Sequence, residues 1–202
     1  MKTLILNCLD NDNNIKLSYF LDSFIDDLHK RNNSVNYVQI KDLEIKPCFC
    51  CTAQYSFRYE KKCRCDDDMN NLFPLFRESD NWIFFANLSD KGAKDYLKNV
   101  LDRMEPLFQP ISFYENGMGL ESGLGNKMTG NLMLVAVTTG ASDEFVHNIS
   151  SHFDTFSMLF NKKFAGTILI DNSTKQNDVD NEVRNIASLL CEPDEKTISA
   201  EL

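Results

Sequence analysis

The chain has 202 residues, 43% of them hydrophobic, and a formal net charge of −9. That size and apolar share predict one packed domain over residues 1–202. The negative balance argues against nucleic acid or an anionic membrane surface as a partner, because phosphate recognition needs excess Lys and Arg. No run approaches the ~20 apolar residues that span a bilayer. The opening segment 1–7 carries one Lys and an apolar run too short for a signal peptide, so a cytoplasmic location is expected.

In chain order, residues 3–6 form an apolar strand that ends in a polar loop, 7–14. Leu17, Phe20, Leu21, Phe24, Ile25 and Leu28 recur at spacings of three and four and predict an amphipathic helix, stopped by Asn32-Asn33. Residues 35–40 alternate apolar and polar and read as a second strand. A helix is expected over 71–77. Asp80 then leads into Trp82-Ile83-Phe84-Phe85-Ala86, a continuous apolar run of the kind found in buried parallel strands. A helix over 93–104 follows. Residues 109–130, with five glycines, read as a long loop, and loops of that length are often functional. Residues 132–137 are another apolar strand, closed by Thr138-Thr139-Gly140. A helix over 143–161 carries a Phe-rich stripe, and Ser142 or Asp143 is its expected N-cap. A strand over 164–170 and a helix over 179–190 complete the pattern.

Strand–helix alternation of this kind predicts a three-layer α/β fold, with a five-stranded parallel sheet in the order 2-1-3-4-5. Ligands of such sheets bind outside the carboxyl ends of the strands. The loops at 7–14, 86–94 and 138–142 are therefore the places to look.

Five of the seven cysteines fall between Cys48 and Cys65, in a Cys-rich insertion at about 46–69. Cys48-x-x-Cys51 and Cys63-x-Cys65 would give a tetrahedral zinc its four thiolates. A [4Fe–4S] cluster needs the same number, with Cys50 as a substitute ligand. The third reading has no metal and leaves the thiols as packing or mildly reactive groups. Cys8 and Cys191 read as plain core or surface residues. His29, His147 and His152 have no spacing that supports catalysis.

Several segments together resemble the NADPH-dependent FMN reductase and iron-sulfur flavoprotein family. They are Leu4-Ile5-Leu6-Asn7, Ile45-Lys46-Pro47-Cys48-Phe49-Cys50-Cys51 and Cys63-Arg64-Cys65-Asp66-Asp67-Asp68-Met69. Leu97-Lys98-Asn99-Val100-Leu101-Asp102-Arg103 follows, and then Thr138-Thr139-Gly140. The resemblance covers roughly residues 3–170. It implies a flavodoxin-like fold, bound FMN, NAD(P)H as reductant, a small-molecule or protein electron acceptor, and a homodimer. The cofactor-binding residues carried over are Asn11, Asn13 and Asn14 in the first loop, Ala86, Asn87, Leu88 and Ser89 in the second, and Thr138, Thr139 and Gly140 in the third. The chain departs from the family in two of these loops. Family members have a Gly-Ser-Pro-Arg type loop where this chain has Cys8-Leu9-Asp10-Asn11-Asp12-Asn13-Asn14, without Gly, hydroxyl or Arg. They have Ser-Pro-Val-Tyr where it has Ala86-Asn87-Leu88-Ser89. In the iron-sulfur branch the cysteines form a compact run. Cys48 and Cys51 match it, whereas the third position is Gln54. Asp102 and Arg103 are expected to support helix ends or a dimer contact. Two functions follow: an FMN-dependent NAD(P)H oxidoreductase with a divergent flavin site, or a flavin-free relative acting as a thiol-metal, binding or regulatory protein.

Overall fold

The computed structural model describes residues 1–9, 15–49, 65–89, 92–93, 95–107, 112–114, 117–119, 130–138, 142–170 and 176–191. Strand β1 (Lys2–Asn7) runs into helix α1 (Ile15–Lys30) and strand β2 (Ser34–Gln39). Helix α2 (Met69–Glu78) precedes strand β3 (Asn81–Ser89), the short strand β4 (Gly92–Ala93) and helix α3 (Asp95–Asp102). A small hairpin, β5 (Ser112–Tyr114) with β6 (Gly117–Gly119), comes next. Strand β7 (Asn131–Thr138), helix α4 (Asp143–Leu159), strand β8 (Lys163–Ile170) and helix α5 (Gln176–Cys191) follow.

The main sheet has the order β2-β1-β3-β7-β8 with every neighbour parallel. This is the expected 2-1-3-4-5 arrangement and a flavodoxin-like topology. Two expectations are corrected. Ala93, read as the start of a helix, lies in β4, which folds back antiparallel on the end of β3; helix α3 begins at Asp95. The region read as a long loop contains the β5–β6 hairpin.

Alternation along the strands sends side chains to two cores. Leu4, Leu6, Trp82, Phe84, Leu132 and Leu134 face α2, α3 and α4, against Phe73, Phe76, Leu97, Val100 and Phe153. Ile5, Ile83, Phe85, Met133 and Val135 face α1 and α5, against Phe20, Phe24, Leu28, Val183 and Ile186. The spacing of Phe20, Phe24 and Leu28 explains α1: one i, i+4 stripe is buried while the opposite face stays wet. Asn32, at φ 59, ends that segment in the left-handed region, which Asn tolerates better than most residues. Each fully buried Leu, Ile or Phe contributes roughly 1.5–3 kcal/mol.

The amino edge of the sheet is fixed by polar contacts. The Asn81 carbonyl accepts from the Asn131 backbone N–H at 3.0 Å and its side-chain amide at 3.1 Å. The Asn81 amide donates to Thr3 Oγ1 and to the Leu190 carbonyl, tying β1, β3, β7 and the end of α5 together. Lys162 Nζ, 4.4 Å above the Trp82 ring, donates to the Ser79 and Asp80 carbonyls. Gly130 has φ +128, and a Cβ there would stand 2.0 Å from the Asp80 carbonyl oxygen, so only glycine fits.

Helix α1, which follows β1, packs on one face of the sheet. Helix α3, which follows β3, packs on the other. The chain therefore leaves the carboxyl ends of β1 and β3 in opposite directions, at the edge where folds of this strand order bind their ligands.

Candidate functional site

Asn7 ends β1 at this edge and is 1% exposed. Its side-chain amide donates to Tyr37 Oη at 2.8 Å and to Gln39 Oε1 at 2.9 Å, and Tyr37 Oη donates to the same Gln39 oxygen. Its carbonyl oxygen accepts from the Leu9 backbone N–H at 3.1 Å. The Cys8 backbone N–H donates to the Phe85 carbonyl at 2.9 Å. The side chains of Cys8 and Leu9 enter opposite cores and are each 1% exposed. Burial pushes the Cys8 thiol far above its usual range, so it stays protonated. It is a core residue, as its sequence context predicts. Asn11, Asn13 and Asn14 lie outside the described residues.

At the end of β3, Ala86 and Leu88 are buried and Asn87 is half-buried. Leu88 pairs with Thr138 of β7 on one side and with Ala93 of β4 on the other; Ser89 pairs with Gly92. The second candidate loop is therefore framed by two strand ends that pair with each other. Thr138 is 8% exposed and closes β7; Thr139 and Gly140 lie outside the described residues. Ser142 caps α4 by accepting from the Phe145 N–H at 3.3 Å, as expected from the sequence. The structure thus brings Asn87, Leu88 and Thr138 to the carboxyl edge of the sheet and adds Asn7, Tyr37 and Gln39. Sequence reasoning missed those three. The available signal was an Asn closing an apolar strand, with two polar side chains in alternation on the next.

The Cys-rich insertion has a well-defined base. Arg103 Nη1 and Nη2 form a two-pronged pair with Asp67, at 2.7 and 2.9 Å, and both side chains are fully covered. Arg103 Nη1 also donates to the Lys46 carbonyl at 2.8 Å. The Asp67 carboxylate accepts from the backbone N–H groups of Lys46 at 3.0 Å and Met69 at 3.2 Å. Asp68 accepts from the Glu44 N–H at 2.8 Å, and Asn70 donates to the Cys65 carbonyl at 2.8 Å. Desolvation pushes the Asp67 carboxyl up, but the Arg103 hydrogen bonds, the two backbone N–H groups and the guanidinium charge outweigh it and hold the carboxyl below its ordinary range. The two ends of the insertion are thus fastened together beside α3. Arg103 was expected at a helix end or a dimer contact; it is instead an interior clamp, while Asp102 pairs with Lys98 on the surface.

Cys48 and Cys65 are half-buried, just outside this clamp. Cys50, Cys51 and Cys63 lie outside the described residues. Among the described residues no three His, Cys, Asp or Glu side chains are grouped to hold a metal, and two of the four thiols read as ligands are not among them. No described helix is long and apolar enough to cross a membrane.

The chemistry of the donors at the carboxyl edge fits the ring end of a flavin. Asn87, half-buried, offers an amide that suits the edge of a ring, while Leu88 is packed in the core. A phosphate dianion needs free backbone N–H groups, hydroxyls or a cation; the N–H groups of Cys8 and Leu9 are used within the fold, and residues 10–14, which would supply the rest, lie outside the described residues.

No family model matches the sequence. Over 123 residues the chain is 26% identical to an iron-sulfur flavoprotein from Methanocaldococcus jannaschii; the match covers 61% of this chain and 56% of that protein. The matched region thus spans little more than half the length of that relative. The fold is similar to the NAD(P)H:quinone oxidoreductase from Methanothermobacter marburgensis, at TM-score 0.62 and 12% identity, covering 93% of this chain and 97% of that one. It is also similar to an FMN-dependent NADH-azoreductase from Bacillus anthracis solved in complex with FMN, at TM-score 0.61 and 13% identity, covering 95% and 100% of the two chains. These matches bear out the flavodoxin-like fold and the resemblance to the reductase and iron-sulfur flavoprotein family.

Proposed function

We propose that the chain is a flavin-dependent NAD(P)H oxidoreductase. Its reductant is a reduced nicotinamide, and its acceptor is a small molecule or a protein. The observation that carries this reading is the carboxyl edge of β1 and β3, where the ends of β3 and β7 pair at Leu88 and Thr138 and Asn7, Tyr37 and Gln39 form a neutral polar cluster. The similarity to an iron-sulfur flavoprotein and to flavin-dependent reductases of the same fold supports it. A bound flavin supplies the hydride and electron chemistry; the protein's part is to bind it, orient it and shield it from water. Asn87 would hold the edge of the ring, and Leu88, packed in the core, would brace the strand end beside it. Asn11, Asn13, Asn14, Ala86, Ser89, Thr139 and Gly140 would complete the contacts. A homodimer and a cytoplasmic setting belong to the same proposal.

One observation favours the second reading, a flavin-free relative that works through thiols. The β3–β4 hairpin ties up the strand ends that would face a ring, while the base of the Cys-rich insertion is firmly built. Cys48, Cys51, Cys63 and Cys65, with Cys50 as substitute, would then hold zinc or an iron-sulfur cluster. Protein purified without oxygen separates the two. The yellow absorption of oxidised flavin, or uptake of added flavin, is expected. A colourless protein that takes up no flavin refutes the oxidoreductase reading, and metal analysis then decides between a loaded thiol site and bare thiols.

A further inference from the structure

We propose that Cys48 and Cys65 form a reversible disulfide that closes the base of the Cys-rich insertion. The two segments that bear them run side by side in opposite directions. The Asp68 N–H donates to the Glu44 carbonyl at 3.1 Å, and the Asp68 carboxylate accepts from the Glu44 N–H at 2.8 Å. One step further out, the Asp67 carboxylate accepts from the Lys46 N–H at 3.0 Å. As one segment advances from 44 to 46, the other retreats from 68 to 67, so the next step outward carries Cys48 toward Cys65.

Cys48 lies two residues beyond Lys46, and Cys65 two residues before Asp67. An arm of two residues reaches ~7 Å, and a disulfide needs Cα atoms about 4.4–6.8 Å apart. The arms start from fixed points. Arg103 Nη1 donates to the Lys46 carbonyl at 2.8 Å and the Asn99 amide to the Ile45 carbonyl at 3.3 Å. Opposite them, the Asn70 amide donates to the Cys65 carbonyl at 2.8 Å. Pro47, between Lys46 and Cys48, has its φ locked by its ring. Both cysteines are half-buried, within reach of a small reagent. The oxidant is a small disulfide of the oxidised glutathione class. One protein thiol, as thiolate, attacks a sulfur of the reagent and displaces a small thiolate, which takes up the proton. The other protein thiol then loses its proton, attacks the protein sulfur of the mixed disulfide and displaces the second small thiol. The chain loses two hydrogens, the reagent gains two, and excess thiol reverses both steps. The clamp favours this closure over a second adduct, because it raises the effective concentration of one thiol around the other.

The full chain is treated with oxidised glutathione in the presence of a metal chelator, digested with trypsin and mapped by mass spectrometry. Trypsin cuts after Arg58, Lys61, Lys62 and Arg64, so the peptides of Cys48 and Cys65 stay together only through a bond between them. The triple variant Cys50→Ser, Cys51→Ser, Cys63→Ser keeps the two thiols in question. Parent and triple variant should both yield the Cys48–Cys65 link, released by reductant. Adding Cys48→Ser to the triple variant should leave a glutathione adduct on Cys65 instead. Adding Asp67→Asn should slow closure roughly threefold or more, as the arms lose their fixed points. Glutathione adducts on both Cys48 and Cys65 of the triple variant, with no link, overturn the inference. So does a parent chain in which either residue is joined mainly to Cys50, Cys51 or Cys63. The flavin reading is untouched by either result.

Discussion

Replacing Asp67 by Asn tests whether the base of the Cys-rich insertion is held by charge. The Asp67 carboxylate accepts four hydrogen bonds, from Arg103 Nη1 at 2.7 Å, Arg103 Nη2 at 2.9 Å, the Lys46 N–H at 3.0 Å and the Met69 N–H at 3.2 Å. Neither Asp67 nor Arg103 exposes its side chain. Asn keeps the shape but removes the charge; its one oxygen can still accept from Arg103, but its NH2 faces the other donors, and the buried guanidinium loses its counter-ion. Loss of one member of a buried ion pair costs about 3–5 kcal/mol. For a chain of this length that lowers Tm by roughly 6–20 °C. The double variant Asp67→Leu with Arg103→Met, which buries no charge, should lose less. The pH dependence has a definite sign. The folded carboxyl sits below its unfolded value, so its contribution is complete above about pH 4 and disappears as pH falls through the folded pKa. The D67N variant should lack that acid-limb loss. Thermal melts by circular dichroism across the acid range measure it, and the labelling rates of Cys48 and Cys65 should rise in D67N as the two ends separate. A D67N protein that melts within about 2 °C of the parent, with unchanged labelling, refutes the clamp.

Lys162 has its pKa lowered to about 7, by burial first, with the nearby Asp80 charge opposing. Between about pH 7 and about pH 10.5 the unfolded chain therefore binds more protons than the folded one, and stability rises with pH over that window by on the order of 3–5 kcal/mol. Lys162→Met should flatten that slope in denaturant titrations at several pH values, and a parent protein whose stability is level there contradicts the assignment. Gly130→Ala forces a Cβ against the Asp80 carbonyl at a positive φ and should cost about 2–5 kcal/mol from strain and overpacking, read as a lower urea midpoint. Phe153→Ala removes a ring 5.8 Å from Phe84 and 6.2 Å from Phe156 and should cost about 3–5 kcal/mol while leaving flavin titration unchanged.

The sheet was legible because its strands are apolar without interruption. Trp82 to Ala86 and Leu132 to Ala136 are buried on both faces and show it in composition alone. Helix α1 declared itself through Phe20, Phe24 and Leu28. The β4 strand and the β5–β6 hairpin did not, because two or three residues rich in glycine are too few to show a period of two. At the candidate site, the charges of the first loop were plain in the sequence, since charge belongs to the residue. The Asn7 contacts were not, since they depend on the register that sets Asn7 opposite Gln39. Arg103 lies 36 residues from Asp67, and no local pattern predicts a buried pair at that separation.

The polar groups that hold this fold lie away from the carboxyl edge. Asn81, Asn131, Lys162 and Gly130 fix the amino edge of the sheet. Asp67 and Arg103 fix the insertion to α3. At the carboxyl edge the described groups also close on one another: Asn7 on Leu9, Tyr37 and Gln39, and β3 on β4. In a binding site assembled around a phosphate, the groups at the strand ends stay open until the ligand satisfies them, and the empty protein carries the cost of leaving them unpaired. Among the described residues that cost is already met within the chain, and the side chains that meet around Asn7 at this edge are neutral.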